Sequence, residues 1–346
     1  MNFTNFTVVI PEHNRPHHLK RLLEYYLDQN VRIIVSDSSV EEFCYLKEYK
    51  DKIVYHHFPQ TPLAKKIYNI LPFIETPYVV MCANDDFVIP NAVSKITDFL
   101  DNHLDYNSGQ GIYIDYDPFD ENLQISLRYP NMLIEQLDEN NGCDRLLHLM
   151  KSYFQYYYAV YRASTFVNVY SSVIRDDSTR IVNLCLLESY ISSYSAIEAK
   201  HIIIPELYAA RENIINSAGR FTDNMSKIIT KKKYRNEYNA YSELLSKLII
   251  NQEKITPKKA TEIVNKSIDI YMSESFRDYF KFKNRSKRAL KNILFKIGLL
   301  EVIIKRINKK SNKLKQNIPT YINGLEEWVQ IEKYIHKFQD ICNKNN

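Results

Sequence analysis

The stretch Tyr78-Val79-Val80-Met81-Cys82-Ala83-Asn84-Asp85-Asp86-Phe87 decides how the rest of the chain is read. Tyr78 to Cys82 is apolar without a break, a run too short for a helix and well suited to a strand buried on both faces. It passes directly into Asn84, Asp85 and Asp86, so a strand end carries adjacent carboxylates. Upstream, Phe6–Pro11 (FTVVIP), Val31–Ser36 (VRIIVS) and Ile53–Phe58 are similar short runs. Between them, Pro16–Gln29 sets Leu19, Leu22, Leu23 and Tyr26 at helical spacing, Val40–Tyr49 reads as a short helix, and Pro62–Ile74 as a helix with Pro in its first turn. Asn91–Asn102 continues the alternation after Pro90. Such alternation predicts an α/β domain with a mostly parallel sheet covered on both faces. Ligands of such sheets bind outside the carboxyl ends of the strands, where the acidic cluster lies.

Further along, Gly111–Tyr116 (GIYIDY) and Tyr156–Tyr161 (YYYAVY) read as strands, the second partly exposed through its tyrosines. Ile181–Ser195 reads as a helix and Lys200–Tyr208 as a strand. After Arg220 the pattern turns helical, with candidates at 224–251, 258–282, 286–309 and 326–342. A boundary near Phe221 divides an α/β domain, 1–221, from a helical region, 222–346.

The five cysteines are widely spaced and form no CxxC pair or Cys/His cluster, which argues against a zinc knuckle and a disulfide framework. Met1–Arg15 lacks the pattern of a secretory signal, and no apolar run approaches the roughly 20 residues of a spanning helix. A cytoplasmic location, or a peripheral one on the inner face of the plasma membrane, is expected. The net charge of +5 is uneven: residues 281–316 hold thirteen Lys or Arg against the single acid Glu301, which leaves the remainder acidic. Leu290, Ile293, Leu294, Ile297, Leu300, Ile304 and Ile307 recur there at helical intervals among lysines. Two readings stand: the stripe packs on the body while the lysines are solvated, or the helix lies on an anionic membrane. Nucleic-acid binding lacks a reader motif.

Adjacent carboxylates at a strand end suit Mg²⁺ or Mn²⁺, hard cations that prefer oxygen and bridge to substrate phosphates. They equally suit a turn before Pro90, where Asp is common. The segment Thr76–Phe87, with Val8-Val9-Ile10-Pro11-Glu12-His13-Asn14-Arg15-Pro16 and Val35-Ser36-Asp37-Ser38-Ser39, resembles family 2 glycosyltransferases of the GT-A fold. These open with an apolar strand ending in a Pro-x-x-Asn-Arg-type loop, place an Asp after the second strand, and carry an Asp-x-Asp-type motif after the fourth. The resemblance covers residues 6–221.

The resemblance implies that Pro11, Glu12, Asn14 and Arg15 border the nucleotide, Asp37 contacts its base or ribose, and Lys65 faces the nucleotide or its phosphates. Asp86 is the implied main metal ligand, and Asp85 supports it or contacts the ribose. Two departures stand out: Asn84 replaces the first acid of the motif, and Glu12-His13 replaces a small residue or Thr followed by Tyr or His. An inverting transfer needs a general base for the acceptor hydroxyl. Glu188, in Leu186-Leu187-Glu188-Ser189-Tyr190, is the chosen candidate, with Asp176 and Asp177 as rivals. An unpaired buried carboxylate there would be costly, so the alternative is a solvent-facing Glu188. Arg211 and Glu212 fall where related enzymes close over the diphosphate. His13, His17 and His18 read as surface or loop residues, since adjacent helical histidines cannot both face one ion.

The expected function is thus an inverting, metal-dependent glycosyltransferase that uses a nucleotide-sugar donor and builds a bacterial surface glycan, such as capsule or lipopolysaccharide, on a glycan or lipid-linked acceptor. The alternatives are a scaffold protein that keeps the fold without turnover, suggested by Asn84, and a nucleotidyltransferase, weakened by the lack of a Gly-rich loop after the first strand.

Overall fold

The computed structural model describes residues 3–118, 123, 125–129, 136–213, 223, 225–282 and 325–344. Strand β1 (Phe6–Glu12), helix α1 (Pro16–Leu27), β2 (Arg32–Asp37), α2 (Leu46–Tyr49), β3 (Val54–His57), α3 (Leu63–Ile70) and β4 (Tyr78–Met81) form the first half of the α/β body. β1 pairs in parallel with β2 and β4, and β2 with β3, so the ends of β1, β2 and β4 open on the same side. Val8, Val9, Ile10, Val79 and Val80 are at most 1% exposed, as expected of central strands covered on both faces.

The second half contains β5 (Phe87–Val88), α4 (Pro90–Asn102), β6 (Tyr106–Tyr116), β7 (Ile125–Leu127), α5 (Gly142–Lys151), β8 (Val160–Arg162), α6 (Ala163–Ser172), the hairpin β9 (Ile174–Arg175) and β10 (Ser178–Thr179), α7 (Leu184–Glu198) and β11 (Lys200–Glu212). The main sheet runs β3-β2-β1-β4-β8-β6-β11-β5, with β7 paired to β6. β6 and β11 are parallel to each other, whereas β8 runs antiparallel to both β4 and β6 and joins the halves. The sheet is therefore mixed but mostly parallel, as expected: β1, β2, β3, β4, β6 and β11 run one way, and β5, β7 and β8 the other. Pro205 lies in a register break of β11 between Ile203 and Leu207. A Cβ at Gly111 would come within 2.6 Å of the Glu206 carbonyl oxygen there, so this close approach requires glycine.

Two local expectations fail for identifiable reasons. Val40–Phe43 is not helical: the Val40 amide donates to Asn14 Oδ1 and the Phe43 amide to the Tyr55 hydroxyl, which leaves a short α2. The tyrosine run is strand only at its end: Tyr156–Ala159 forms a turn, with the Ala159 amide donating to the Tyr156 carbonyl at 2.7 Å, and β8 begins at Val160. Tyr156, Tyr157 and Tyr161 are buried, and Tyr156 stacks on His201 at 4.0 Å.

Helices α8 (Met225–Thr230), α9 (Arg235–Glu253), α10 (Pro257–Phe282) and α11 (Glu326–Lys344) follow. α9 packs on α7, and α10 on α5 and α9. α11 returns to α1, with Trp328, Ile331, Ile335 and Phe338 buried at helical spacing. The boundary at Phe221 and nearly all of the basic segment 281–316 lie outside the described residues. No helix among the described residues is long and apolar enough to cross a membrane.

Candidate active site

The turn after β4 brings three strand ends together. Glu12, at the end of β1 and 1% exposed, accepts from the Asn84 side-chain amide on one oxygen and from the Arg15 amide at 2.6 Å on the other. Burial pushes the Glu12 carboxyl up to about 7, against the pull of Asn84, the Arg15 amide and Lys66. The two sequence departures are therefore a matched pair: an amide at 84 donates to a carboxylate at 12, where two acids would repel.

Asp37, at the end of β2, is fully buried and has both oxygens engaged, accepting from the Ser39 amide at 2.7 Å and the Tyr55 hydroxyl at 2.7 Å. Its role in this conformation is to shape the loop floor. Asn14 adopts a left-handed φ of 55°, which Asn tolerates, and its amide donates to Ser39 Oγ at 2.7 Å, tying the first loop to the second. Pro11 lies in β1 opposite Ser36. His13 and His17 are exposed, as expected.

The lysine needs correction. Lys65 turns away from the strand ends to pair with Asp177, whereas Lys66 is buried and donates from Nζ to the Glu12 carbonyl and, at 3.0 Å, to Ser38 Oγ. Burial lowers Lys66 to about 8, offset by Glu12 and Asp37. One residue along a helix is about 100°, enough to exchange the two roles. Asp176 and Asp177 carry φ values of 47° and 63° in the turn joining β9 to β10. That left-handed pair fits a two-residue hairpin turn, where Asp177 pairs with Lys65 and Asp176 with Arg175.

Asp86 is 3% exposed, and its carboxylate accepts from the Glu212 amide at 2.9 Å and from Arg211 Nε at 3.3 Å. The antiparallel pairing of β5 with β11 sets Ala210 opposite Phe87 and so delivers Arg211 to Asp86. Burial, then the neighbouring Asp85, raises the Asp86 carboxyl, while Arg211 opposes them. Asp85 pairs with Arg15. From Arg211 the network continues: Nη1 donates to Gln155 Oε1 at 3.2 Å, and Gln155 Nε2 donates to Glu188 Oε2 at 2.6 Å. Glu188 is not simply a solvent-facing residue of α7. Burial raises its carboxyl to about 7, against Arg211, the Gln155 hydrogen bond and Arg128. The guanidinium of Arg211 also lies 5.4 Å from the Tyr158 ring centroid.

Sequence reasoning missed Lys66, Gln155 and Arg21. Gln155 carries no charge and lies just before the tyrosine run. Arg21 could have been noticed as a cation on the apolar face of α1 beside Leu22.

Comparison with known proteins bears on the family and the fold. Residues 7–164 match the glycosyl transferase family 2 model. This covers β1 to the start of α6 and includes all three strand ends. The resemblance to family 2 glycosyltransferases is thus shown over residues 7–164. The fold is similar to that of S. aureus TarS 1-349, at 14% identity and a TM-score of 0.52, over 84% of this chain and 79% of that one. A longer TarS chain gives 12% identity and a TM-score of 0.47, over 78% of this chain and 55% of that one. TarS 1-349 in complex with UDP-GlcNAc gives 12% identity and a TM-score of 0.48, over 80% of this chain and 92% of that one. A search of curated proteins gives no match.

Proposed function

We propose that this protein is an inverting glycosyltransferase that moves a sugar from a nucleotide-sugar donor to a hydroxyl of a glycan or lipid-linked glycan, in the assembly of a bacterial surface glycan. The observation that carries the reading is the connected row Asp86, Arg211, Gln155 and Glu188, which links the acidic strand end to a carboxylate on α7. Arg211 suits the donor diphosphate, since a guanidinium recognises phosphate oxygens and holds its charge. Glu188, raised to about 7 and held by Gln155, suits a base that takes the acceptor hydroxyl proton as that oxygen attacks the anomeric carbon.

The metal is part of the proposal. Asp85 and Asp86 offer the all-oxygen donors that Mg²⁺ or Mn²⁺ prefers, although among the described residues no group of three or more His, Cys, Asp or Glu side chains could hold an ion. The fit therefore relies on donor phosphate oxygens to complete the coordination. A bound cation would supply charge to the leaving diphosphate. Arg15 and Arg211, now on the two carboxylates, are available to turn to phosphate.

The test is to incubate the protein with a panel of nucleotide sugars and Mn²⁺, with and without glycan acceptors, and measure nucleotide release. Donor-specific release that an acceptor accelerates supports transfer. Binding of a donor without release under any condition supports the scaffold reading instead. We place the acceptor at the inner face of the plasma membrane, and liposome flotation of chains with and without residues 281–316 tests that placement: equal recovery counts against it.

A further inference from the structure

The last helix packs on α1, next to side chains that hold the acidic motif, although residues 283–324 separate it from α10. Arg21, 4% exposed, has its guanidinium between two rings, 4.9 Å from the centroid of Phe87 and 4.7 Å from that of Phe338 on α11. Its Nη1 donates to Glu212 Oε2 at 2.7 Å and its Nη2 to the Asp85 carbonyl at 2.9 Å. Glu212 is the residue whose amide holds the Asp86 carboxylate. A single buried cation therefore ties the main chain of Asp85 to the strand end that fixes Asp86.

Two more side chains repeat the arrangement. The Tyr116 hydroxyl donates toward the Asp85 carbonyl at 3.3 Å and Glu212 Oε2 at 3.2 Å, and its ring meets Trp328 of α11 edge-on at 6.1 Å. His18 Nε2 lies 3.4 Å from Glu212 Oε1, and its ring lies 4.7 Å from Phe338. Arg21, Tyr116 and His18 each brace Glu212 and are each touched by an aromatic ring of α11. A buried ion pair is strong only while water is excluded and its geometry is held, and these rings do both.

We propose that α11 is a positioning element of the acidic motif, with Phe338 and Trp328 acting through Arg21 and Tyr116 to fix Asp85 and Asp86. The kinetic part of the test rests on the glycosyltransferase reading; the exchange part does not.

In the full chain, Phe338→Ala lowers kcat/KM for nucleotide release at least about tenfold, and Arg21→Lys does the same. Because the ring acts through the guanidinium, the double variant is no worse than the poorer single variant. Lys337→Ala, on the same helix as Phe338, removes an exposed pair with Glu24 of α1 and leaves the rate unchanged. Trp328 is the only tryptophan of the chain, so acrylamide quenching reports whether α11 remains docked in each variant. Where Phe338→Ala does not fold, Phe338→Leu keeps apolar volume and removes the ring face. Hydrogen exchange supplies the readout that needs no turnover: Phe338→Ala or Phe338→Leu speeds exchange across residues 83–88 and 208–213 and leaves 32–37 unchanged. Unchanged exchange at 83–88, or additive kinetic losses, overturns the proposal. If the wild-type chain releases no nucleotide while the exchange pattern holds, the function reading fails and the positioning role stands.

Discussion

The two sides of the candidate site are built differently. The β1, β2 and β4 ends come from neighbouring βα units, and their residues Glu12, Asp37 and Asn84 are locked by backbone amides, a tyrosine hydroxyl and one another. Glu188, Gln155 and Arg211 come from α7, the turn before β8 and the end of β11, and are joined by single hydrogen bonds between flexible side chains. The first side is preorganised through consecutive strands, as a binding floor should be. The second depends on distant segments meeting correctly, and a change there costs chemistry before it costs fold. Asp86 sits at the seam, held by the β11 end and adjoining the β4 turn.

Breaking the seam gives the largest effect. Asp86→Ala is expected to reduce nucleotide release by about 10³-fold or more, because it removes both the leading metal-ligand candidate and the partner of Arg211. Circular dichroism should remain close to wild type, whereas melting should fall by several degrees, because the buried Arg211 and the Glu212 amide lose their partner. Activity within tenfold of wild type would remove Asp86 from its assigned role.

The second side is broken at Glu188. Glu188→Gln is expected to lower kcat by about 10²–10³-fold while donor affinity, measured by calorimetry, changes little. The sign of its pH dependence follows from burial, which raises this acid to about 7. The basic form that accepts a proton predominates above that value, so wild-type activity should fall about tenfold per unit as pH drops below about 7. The Gln variant should lose this acidic limb. A wild-type profile flat from pH 5 to 8 would argue for another base.

The first side is best probed by exchanging its matched pair. Glu12→Thr strands the Asn84 amide, and Asn84→Asp sets a carboxylate against Glu12, so each single change should weaken donor binding about tenfold. The double variant Glu12→Thr/Asn84→Asp should recover most of the loss, measured as a coupling in donor affinity. Additive losses would mean that the two residues act independently.

The same contrast governs what could be read in the sequence. Strand ends that follow short apolar runs reveal themselves, because a polar residue after a buried strand must point at the carboxyl edge; Asp86 and Asp37 were legible for that reason. Glu188 was visible as a carboxylate among Leu186, Leu187 and Tyr190, but only the structure could supply Gln155, a neutral side chain from another element. The stripe of Trp328, Ile331, Ile335 and Phe338 marks a helix with a buried face, whereas its seat beside Arg21 depends on packing across most of the chain. The tyrosine run misled because β-propensity describes a half-buried pleated surface, and these rings fill a core around a turn.

Lys65 and Lys66 give the smallest effect and the finest test of helix phase. Lys66→Met removes a buried ammonium that donates to Ser38 Oγ and the Glu12 carbonyl. A charged hydrogen bond of this kind contributes about 1.5–3 kcal/mol, so melting should fall by about 5 °C. Lys65→Met breaks a pair with Asp177, whose side chain is 87% exposed, and should shift melting by less than about 2 °C. Donor affinity should follow the same order, because Lys66 lies behind the first two strand ends while Lys65 reaches only the β9–β10 turn. If Lys65→Met proves the more damaging to donor binding, α3 presents its other face to the nucleotide when the donor arrives, and the floor on this side is less rigid than its hydrogen bonds imply.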